Sequence, residues 1–463
     1  MAKGVVGINV GNHTTKVVEI SKRGSSFAIK ALGIAPSPEG AIVAGDIVQP
    51  EVVAQAIGEL VSSAGIKGKN VVVSIGGQAS VVVRVMDVPK MTKKELASSI
   101  GFEIERQVPY SADEIVSDFA ILEEPDEITD GQNVPVLYAA ARSDGVYNYV
   151  ETLQLAKLNT KAIDVEALAV VRAIGSLSNG ELPDVYAIIN IGAESTEIAV
   201  AQGNKLVFPR IIPVGGNAFT DAVADTLGLD RAEAERVKME QASALYGEPE
   251  AAYTPSVTQA VDTAPVATED LGVPELGLTA QDEDVSDESV EVGLAELPVA
   301  GNIREAGKEQ QAPTSDVNLD FIPDQAPTTP EATPIVEPPL PQELENTGMA
   351  GSGLETGGDV AFIAGAIQSS LAELAEEIGR SIEYYAGRAP GSQVAKIYLA
   401  GGGARLKGMD QFLQSQLGIP VEIADPLKYL DTSALENVYN DQLLGEMSPV
   451  LTVAIGLALR ELV

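Results

Sequence analysis

The sequence predicts an α/β protein of two lobes, and three observations support that fold class. The chain has 463 residues, more than one ordinary domain contains. Near its start it reads G-I-N-V-G-N-H-T-T-K-V-V-E-I (residues 7–20), which is a strand, a glycine turn and a second strand. The same order returns in I-I-N-I-G-A-E-S-T-E-I-A-V (residues 188–200). A duplicated hairpin, each followed by further strands and helices, indicates two related lobes.

The first lobe has a predicted β-β-β-α-β order. Strands are expected at residues 5–10, 16–20, 26–34 and 70–75, and a helix at residues 51–64. The strands are rich in β-branched residues, whereas the helix shows apolar residues at a spacing of three and four.

A smaller α/β module is predicted next, inserted into the first lobe over residues 81–158. Its strands are expected at 81–88, 115–122 and 134–141, and its helices at 92–107 and 144–156. A connecting helix over residues 162–174 then carries Glu166. The first lobe would thus comprise residues 1–80 and 159–183.

The second lobe is predicted over residues 184–246 and 359–463. It opens with a strand at 186–191, repeats the meander as far as 205–214, and continues with helices at 217–227, 232–244 and 360–386. A strand at 395–400 leads into G-G-G-A-R-L-K-G (residues 401–408) and a helix at 409–417. A closing helix over 448–463 lacks the Lys/Arg-rich face of a membrane anchor, so we expect it to pack in the second lobe.

Residues 247–358 differ from the rest of the chain in composition. Between residues 248 and 355 there are 23 acidic and 2 basic residues, so this segment carries more than half of the net charge of −37. It also holds about half of the 27 prolines. Such a segment cannot bury enough apolar surface to offset its ordering entropy, and we predict a disordered insertion. A mobile loop without a role and a partner-binding segment are equally compatible with it.

Composition excludes several classes of protein. The absence of Cys rules out disulfides and thiolate metal sites, and the single His rules out any site that needs two histidines. The strong negative charge argues against nucleic acid as a partner. Without a secretory signal or a long uninterrupted apolar stretch, the chain is expected to be cytoplasmic with no membrane span.

The glycine hairpins predict a polyphosphate site. Glycine lets the backbone approach a ligand closely, and successive turn N–H groups form a concave anion site. One such hairpin is weak support, because most glycine turns bind nothing. Two hairpins followed by a strand, three glycines and a helix form a more specific combination: two phosphate turns and one turn with room for a nucleoside.

These motifs resemble the actin-like ATP-binding superfamily. Within it the chain is similar to the PilM family of type IV pilus assembly proteins, relatives of FtsA. The likeness also rests on E-I-E-R-Q-V-P-Y-S-A-D-E-I-V-S-D-F (103–119), A-E-R-V-K (234–238) and the ending S-P-V-L-T-V-A-I-G-L-A-L-R. It implies an actin-like two-lobe fold of duplicated ribonuclease-H-like domains, with an FtsA-type inserted subdomain.

The resemblance implies a site for ATP or ADP with Mg²⁺ between the lobes. The residues that would contact the nucleotide come from both hairpins, the second-lobe helices and the triple-glycine turn: Asn9, Gly11, Asn12, His13, Thr14, Lys16, Asn190, Gly192, Ala193, Glu194, Ser195, Gly215, Gly216, Glu235, Lys238, Gly402, Gly403, Arg405 and Leu406. Glu166 could hold a magnesium-bound water. Each has an ordinary alternative, such as a turn histidine at His13 or a surface ion pair between Glu235 and Lys238.

Asn9 and Asn190 depart from the superfamily, which typically has Asp at both positions. An Asn carbonyl can still accept a hydrogen bond from metal-bound water, but it removes a negative charge and any capacity as a general base. Phosphoryl transfer depends on metal placement and nucleophile orientation. We therefore predict that ATP binds but is hydrolysed slowly or not at all, with no confident catalytic residue.

The PilM resemblance further implies a partner, the cytoplasmic N-terminal tail of PilN, in a groove beside the inserted module. Other pilus platform and motor proteins and an oligomeric state stay open. Two rival functions are a small-molecule kinase of the same superfamily, which Asn190 disfavours, and an FtsA-like membrane tether, which the missing basic amphipathic tail disfavours.

Overall fold

The structure is a computed structural model that describes residues 4–24, 26–77, 81–91, 93–108, 110–122, 133–178, 180–245, 358–389, 391–436 and 438–463. The predicted disordered insertion lies outside the described residues, apart from Gly358, where a helix begins. The strands are β1 (Val5–Val10), β2 (Thr14–Arg23), β3 (Ser26–Pro36), β4 (Ile42–Val43), β5 (Asp46–Ile47), β6 (Asn70–Ile75), β7 (Val81–Pro89), β8 (Ile115–Ile121), β9 (Asn133–Arg142), β10 (Asn159–Val165), β11 (Val185–Ile191), β12 (Thr196–Gln202), β13 (Lys205–Ile212), β14 (Ile397–Ala400) and β15 (Val421–Ile423). The helices are α1 (Pro50–Ser63), α2 (Lys93–Glu105), α3 (Ser143–Leu155), α4 (Glu166–Gly175), α5 (Gly216–Leu227), α6 (Arg231–Gln241), α7 (Gly358–Arg388), α8 (Met409–Leu417) and α9 (Asp441–Leu459).

Two five-stranded sheets have the same strand order. The first sheet runs β3-β2-β1-β6-β10 and the second β13-β12-β11-β14-β15. In each, three antiparallel strands form a meander, and two parallel strands follow on the other side of the first strand. Their central strands are apolar runs buried on both faces, as expected for sheets covered on each side. The duplication predicted from the hairpins therefore extends to the whole sheets.

The inserted module is a three-stranded antiparallel sheet, β7-β9-β8, with α2 packed on it. The sequence pattern assigns the helix that follows β9 to this module. Instead, that helix, α3, packs on the first lobe, where Tyr149 and Leu153 lie in one apolar cluster with Ile57 of α1 and Val73 of β6. The apolar face of α3 is buried there because the first sheet needs a helix on that side.

The predicted connecting helix over residues 162–174 is partly wrong, because its first residues form strand β10. Ala162, Ile163 and Val165 are buried where β10 pairs in parallel with β6, and helix α4 begins only at Glu166. A strand buried on both faces has no alternation of apolar and polar residues, so its pattern is easily mistaken for a helix.

Helix α9 lies at the junction of the lobes and packs mainly on the first one, contrary to our expectation. Leu451 and Ile455 share an apolar cluster with Val18 and Ile29 of the first sheet. A side chain at Gly456 would collide with the backbone of α4, so the two helices cross in direct contact. Among the described residues α9 has the length and hydropathy of a membrane span, but 72% of that stretch is buried inside the protein, which identifies a core helix.

Candidate functional site

The first glycine hairpin joins β1 to β2 and has the geometry of an anion-binding turn. Gly11 N–H donates to the Thr14 carbonyl at 3.2 Å, which closes the turn. The Asn12 side-chain oxygen accepts from Gly45 N–H at 3.2 Å, so this side chain braces the turn. The backbone N–H groups of Asn12 and His13 donate to no acceptor among the described residues, which leaves two adjacent donors at the tip.

The second hairpin, between β11 and β12, repeats this turn. Gly192 N–H donates to the Ser195 carbonyl at 2.9 Å. Helix α5 begins directly against it, because Gly216 N–H donates to the Gly192 carbonyl at 2.9 Å and Asn217 N–H to the Ala193 carbonyl at 2.8 Å. A side chain at Gly215 would lie 2.6 Å from the Ala193 carbonyl oxygen, so only glycine fits there. The positive end of a helix dipole therefore lies beside the second glycine turn.

Asn9, Lys16 and Glu166, three of the predicted site residues, lie close together at the first hairpin. The Asn9 amide nitrogen donates to Glu166 Oε1 at 2.7 Å and to Ser74 Oγ at 3.1 Å. Burial lowers the pKa of Lys16 to about 8, against the opposing effect of the Glu166 charge. Burial raises the pKa of Glu166, while Lys16 and the hydrogen bonds from Asn9 and Ser74 oppose that rise. Asn9 thus acts as a donor to a carboxylate, which an Asp could not do.

Glu197 belongs to this cluster, and our sequence reasoning missed it. It is 8% exposed and its Oε2 has no hydrogen-bond partner among the described residues. Burial raises its pKa well above the ordinary value, and Glu166 adds to that rise, opposed by the backbone N–H of Ala167. Alignment of the hairpins would have found it: Glu197 pairs with Asn190 in register as Lys16 pairs with Asn9.

The triple-glycine turn has two structural roles. Side chains at Gly401 and Gly403 would collide with Ile191 of β11, so both glycines are required by packing within the lobe. Gly402 has no atom within 4 Å of an added Cβ, so it alone leaves open space for a nucleoside. Arg405 is exposed and Leu406 packs partly against the second-lobe core.

Glu235 and Lys238 form a partly buried pair rather than a surface ion pair. Lys238 Nζ donates to Glu235 Oε2 at 2.6 Å, to Thr220 Oγ1 at 2.9 Å and to the Gly216 carbonyl at 3.1 Å. Thr220 is a second residue that the sequence did not reveal. Hydrogen bonds from Lys238 and Thr220 lower the pKa of Glu235 against the effect of burial, and the His13 charge contributes. His13 of the first hairpin therefore lies within electrostatic range of Glu235 on helix α6.

The described residues hold no group of three or more His, Cys, Asp or Glu arranged for a metal. Asn9 and Asn190, which are predicted to contact a metal through water, are therefore not surrounded by a preformed set of three or more such ligands in the described part of the chain. Mg²⁺ in proteins, however, often uses only one or two carboxylates and completes its shell with waters and phosphate oxygens. The orphaned oxygen of Glu197 beside Glu166 fits such an ion.

A groove of about 1620 Å³ lies between the inserted module and the second lobe. Its walls are the edge strands β7 and β13, and no strand in the described part of the chain pairs with the outer side of either. Phe208, Tyr384 and Tyr385 form an aromatic wall, with the Phe208 ring centroid 5.9 Å from each tyrosine ring. Arg388 bridges the walls through Asp87 at 3.3 Å. Exposed strand edges beside aromatic rings are typical of sites for extended peptides.

Comparison with known proteins now decides the family. The model of the type IV pilus assembly protein PilM matches residues 7–248, just over half of the chain. The chain belongs to the PilM family. The model of the cell division protein FtsA matches residues 187–445. A solved PilM-PilN type IV pilus biogenesis complex is 25% identical, with a TM-score of 0.66 over 98% of both chains.

Two curated relatives are cell division proteins. FtsA of Bacillus subtilis is 35% identical over 103 residues, which cover 22% of this chain and 23% of that protein. FtsA of Streptococcus pneumoniae is 24% identical over 271 residues, 54% of this chain and 56% of that protein. The matched region thus spans 23% of the first of these relatives and 56% of the second. With the duplicated sheets, these matches confirm the actin-like two-lobe α/β fold predicted for this PilM family member.

Proposed function

We propose that this PilM family member is a cytoplasmic, ATP-binding scaffold of the type IV pilus inner-membrane assembly platform. In this proposal ATP or ADP binds between the lobes and is hydrolysed slowly or not at all, and the cytoplasmic tail of PilN binds in the groove. The observation that carries it is the match to a PilM-PilN complex over nearly the whole chain, and two glycine turns closed by the same backbone hydrogen bond support it.

Nucleotide binding is supported by donors on both sides of the cleft. The free N–H groups of Asn12 and His13 and the α5 N-terminus, which begins at Gly216, would face the phosphates, and Lys16 would add charge. The open space at Gly402 would accommodate the nucleoside. Mg²⁺, when bound, would neutralise phosphate charge and orient the phosphates. Glu166 and Glu197 are the carboxylates that would hold it.

Slow hydrolysis follows from the chemistry of Asn9 and Asn190. Neither side chain can accept a proton from an attacking water. Asn9 is also engaged as a donor to Glu166 and Ser74. Bound nucleotide would instead set the angle between the lobes, whose contact runs through α4 and α9.

The test of nucleotide binding is the ATP and ADP content of the purified protein, together with phosphate release in Mg·ATP. We expect bound nucleotide and turnover below the usual enzyme range, whose lower end is about one per second. Faster turnover would contradict a scaffold role. No affinity for ATP or ADP under any metal condition would remove the nucleotide part of the proposal.

The groove is the proposed site for PilN because an extended peptide could pair with the free edge of β7 or β13. Fluorescence titration with a peptide of the PilN cytoplasmic tail tests this. Tyr384→Ala removes an exposed ring from the aromatic wall, so affinity should fall at least about tenfold, the loss of about 1.4 kcal/mol. The control Tyr147→Ala removes a similarly exposed ring on α3, and its affinity should match the unmodified protein. Equal losses in both variants would place the peptide elsewhere.

A further inference from the structure

The small hairpin of β4 and β5 contacts both chain connections between the first lobe and the inserted module. Gly76 and Gly77 belong to the first connection, between β6 and β7, and the second connection passes from β9 directly into α3. A side chain at Gly77 would collide with the Ala44 carbonyl oxygen, and one at Gly45 would collide with the Gly76 carbonyl oxygen. The β4–β5 turn and the first connection are therefore in direct backbone contact.

Gly45 joins the second connection to the first glycine hairpin. Its N–H donates to Asn12 Oδ1 at 3.2 Å, and its carbonyl accepts from the Tyr149 hydroxyl of α3 at 2.8 Å. The Asn148 amide nitrogen, also on α3, donates to the Ile47 carbonyl at 3.0 Å. One glycine thus links the turn between β1 and β2 with the helix that follows the module.

The β4–β5 turn has a backbone conformation that needs support from its neighbours. Ala44 and Gly45 both have positive φ values, 51° and 88°. Alanine is disfavoured in this region because its Cβ approaches the following carbonyl oxygen, and such residues persist where surrounding contacts hold them. Tyr149 is only 1% exposed, so packing fixes its ring and directs its hydroxyl at the Gly45 carbonyl. The conformation of the turn therefore depends on α3.

We propose that the β4–β5 hairpin couples the first glycine hairpin to the orientation of the inserted module, with Tyr149 as the positioning residue. The inference rests on the proposed nucleotide site and adds a route from that site to the module. Phosphate on the Asn12 and His13 N–H groups would order the glycine turn, and Asn12 would in turn hold Gly45 against both connections. Conversely, Tyr149 orders the glycine turn before the ligand arrives, which lowers the entropic cost of binding.

The chain offers a matched control for Tyr149. The Tyr186 hydroxyl donates to the Gly203 carbonyl at the same distance, 2.8 Å, and Tyr186 is fully buried in the second lobe. Tyr149→Phe and Tyr186→Phe each remove one hydroxyl from a glycine carbonyl, so both should lower the Tm to a similar extent. Only Tyr149→Phe should weaken the binding of a fluorescent ADP analogue, by about three- to tenfold, the value of one hydrogen bond.

Asn148→Ala is a second variant for the same connection. It removes the hydrogen bond to the Ile47 carbonyl and leaves the Tyr149 ring in place, and alanine favours the helix. It should weaken binding of the ADP analogue in the same direction, by about twofold or more. This variant tests the inference if Tyr149→Phe folds poorly.

The orientation of the module can be followed with spin labels, because the chain contains no Cys. Phe102→Cys places one label on α2 of the module, where the side chain is 70% exposed, and Val52→Cys places the other on α1 of the first lobe, where it is 44% exposed. Double electron–electron resonance then measures the distance between them. ADP should narrow the distance distribution in the doubly labelled protein and after Tyr186→Phe. After Tyr149→Phe the distribution should be broad with and without ADP.

Two results would overturn the coupling and leave the nucleotide site standing. One is equal affinity for the ADP analogue in Tyr149→Phe and Tyr186→Phe, and the other is the same narrowing by ADP in both labelled variants. If the unmodified protein binds no ADP, the proposed nucleotide site is itself wrong and the coupling is overturned with it.

Discussion

Replacing Asn9 by Asp, the residue typical of the wider superfamily, should destabilise this protein. The Asn9 amide nitrogen lies 2.7 Å from Glu166 Oε1 and donates to it. Asp would place a second carboxylate where that donor stands. Two unit charges about 4 Å apart repel by about 4 kcal/mol at an effective dielectric constant of about 20. Loss of a hydrogen bond to a charged group adds about 1.5 to 3 kcal/mol.

In Asn9→Asp the new carboxyl group and Glu166 can share a proton, which lowers the repulsion between them. The free energy of unfolding at about pH 8 should therefore fall by roughly 3 to 5 kcal/mol. At about pH 5 the loss should shrink, because one carboxyl then keeps its proton at little cost. Urea unfolding at both pH values, without metal, measures the difference. Added Mg²⁺ should restore much of the stability of Asn9→Asp.

A matched control is Asn12→Asp, the same chemical change in the same turn. The Asn12 side chain uses its oxygen as an acceptor for Gly45 N–H, and a carboxylate keeps that acceptor. Its stability should change by no more than about 0.5 kcal/mol. If Asn9→Asp is as stable as the unmodified protein at about pH 8, then Glu166 is not an ionised partner of Asn9 and our account of this position is wrong.

Three further outcomes follow from the same contacts. Burial raises the pKa of Glu197, so the contribution of its carboxyl group to the free energy of unfolding is present in acid and is lost as the pH rises through the folded pKa. In Glu197→Gln, the Tm of the metal-free protein should therefore vary less with pH between about pH 5 and 7. Lys16 has the opposite pH dependence. Its pKa is lowered to about 8, so its contribution to the free energy of unfolding is lost as the pH falls through that value. Gly402→Ala should fold normally but bind ADP more weakly. Gly401→Ala should lower the Tm, because only the side chain added at position 401 collides with β11. Equal Tm values for the two variants would contradict this explanation. Arg172→Met should cost about 1.5 to 3 kcal/mol in urea unfolding, because buried Asp164 loses the guanidinium that it contacts at 2.9 Å and keeps only Arg460 at 3.9 Å. No measurable loss would mean that Arg460 alone satisfies Asp164.

Elements with a clear local signal were predictable from the sequence. The two hairpins place a polar residue, a glycine and a short turn between apolar strands, and this pattern located Asn9, Lys16 and Asn190 but not Glu197, the counterpart of Lys16. Glu166 was found as well, although its helix was predicted to begin four residues too early. Buried parallel strands such as β10 lack the alternation that distinguishes a strand from a helix.

The contacts that complete the site come from distant parts of the chain. Ser74, Glu197 and Thr220 are ordinary strand and helix residues in isolation, and only the fold brings them to the cleft. Whether α9 packs on the first or the second lobe depends on which sheet has an uncovered face. The sequence of the helix itself does not show this. The triple glycine was recognised as a turn, but the collisions that require two of its members are visible only against β11.

The position of α9 has a consequence for how the protein folds as it is made. The first sheet is complete once β10 has emerged from the ribosome, yet one of its faces is covered only in part, by α4, until α9 follows more than 250 residues later. A partly synthesised chain therefore exposes a large apolar surface while the second lobe and the long acidic segment are still being translated. Chaperone binding or delayed compaction of the N-terminal half is the expected result, and the two lobes should unfold as one cooperative unit.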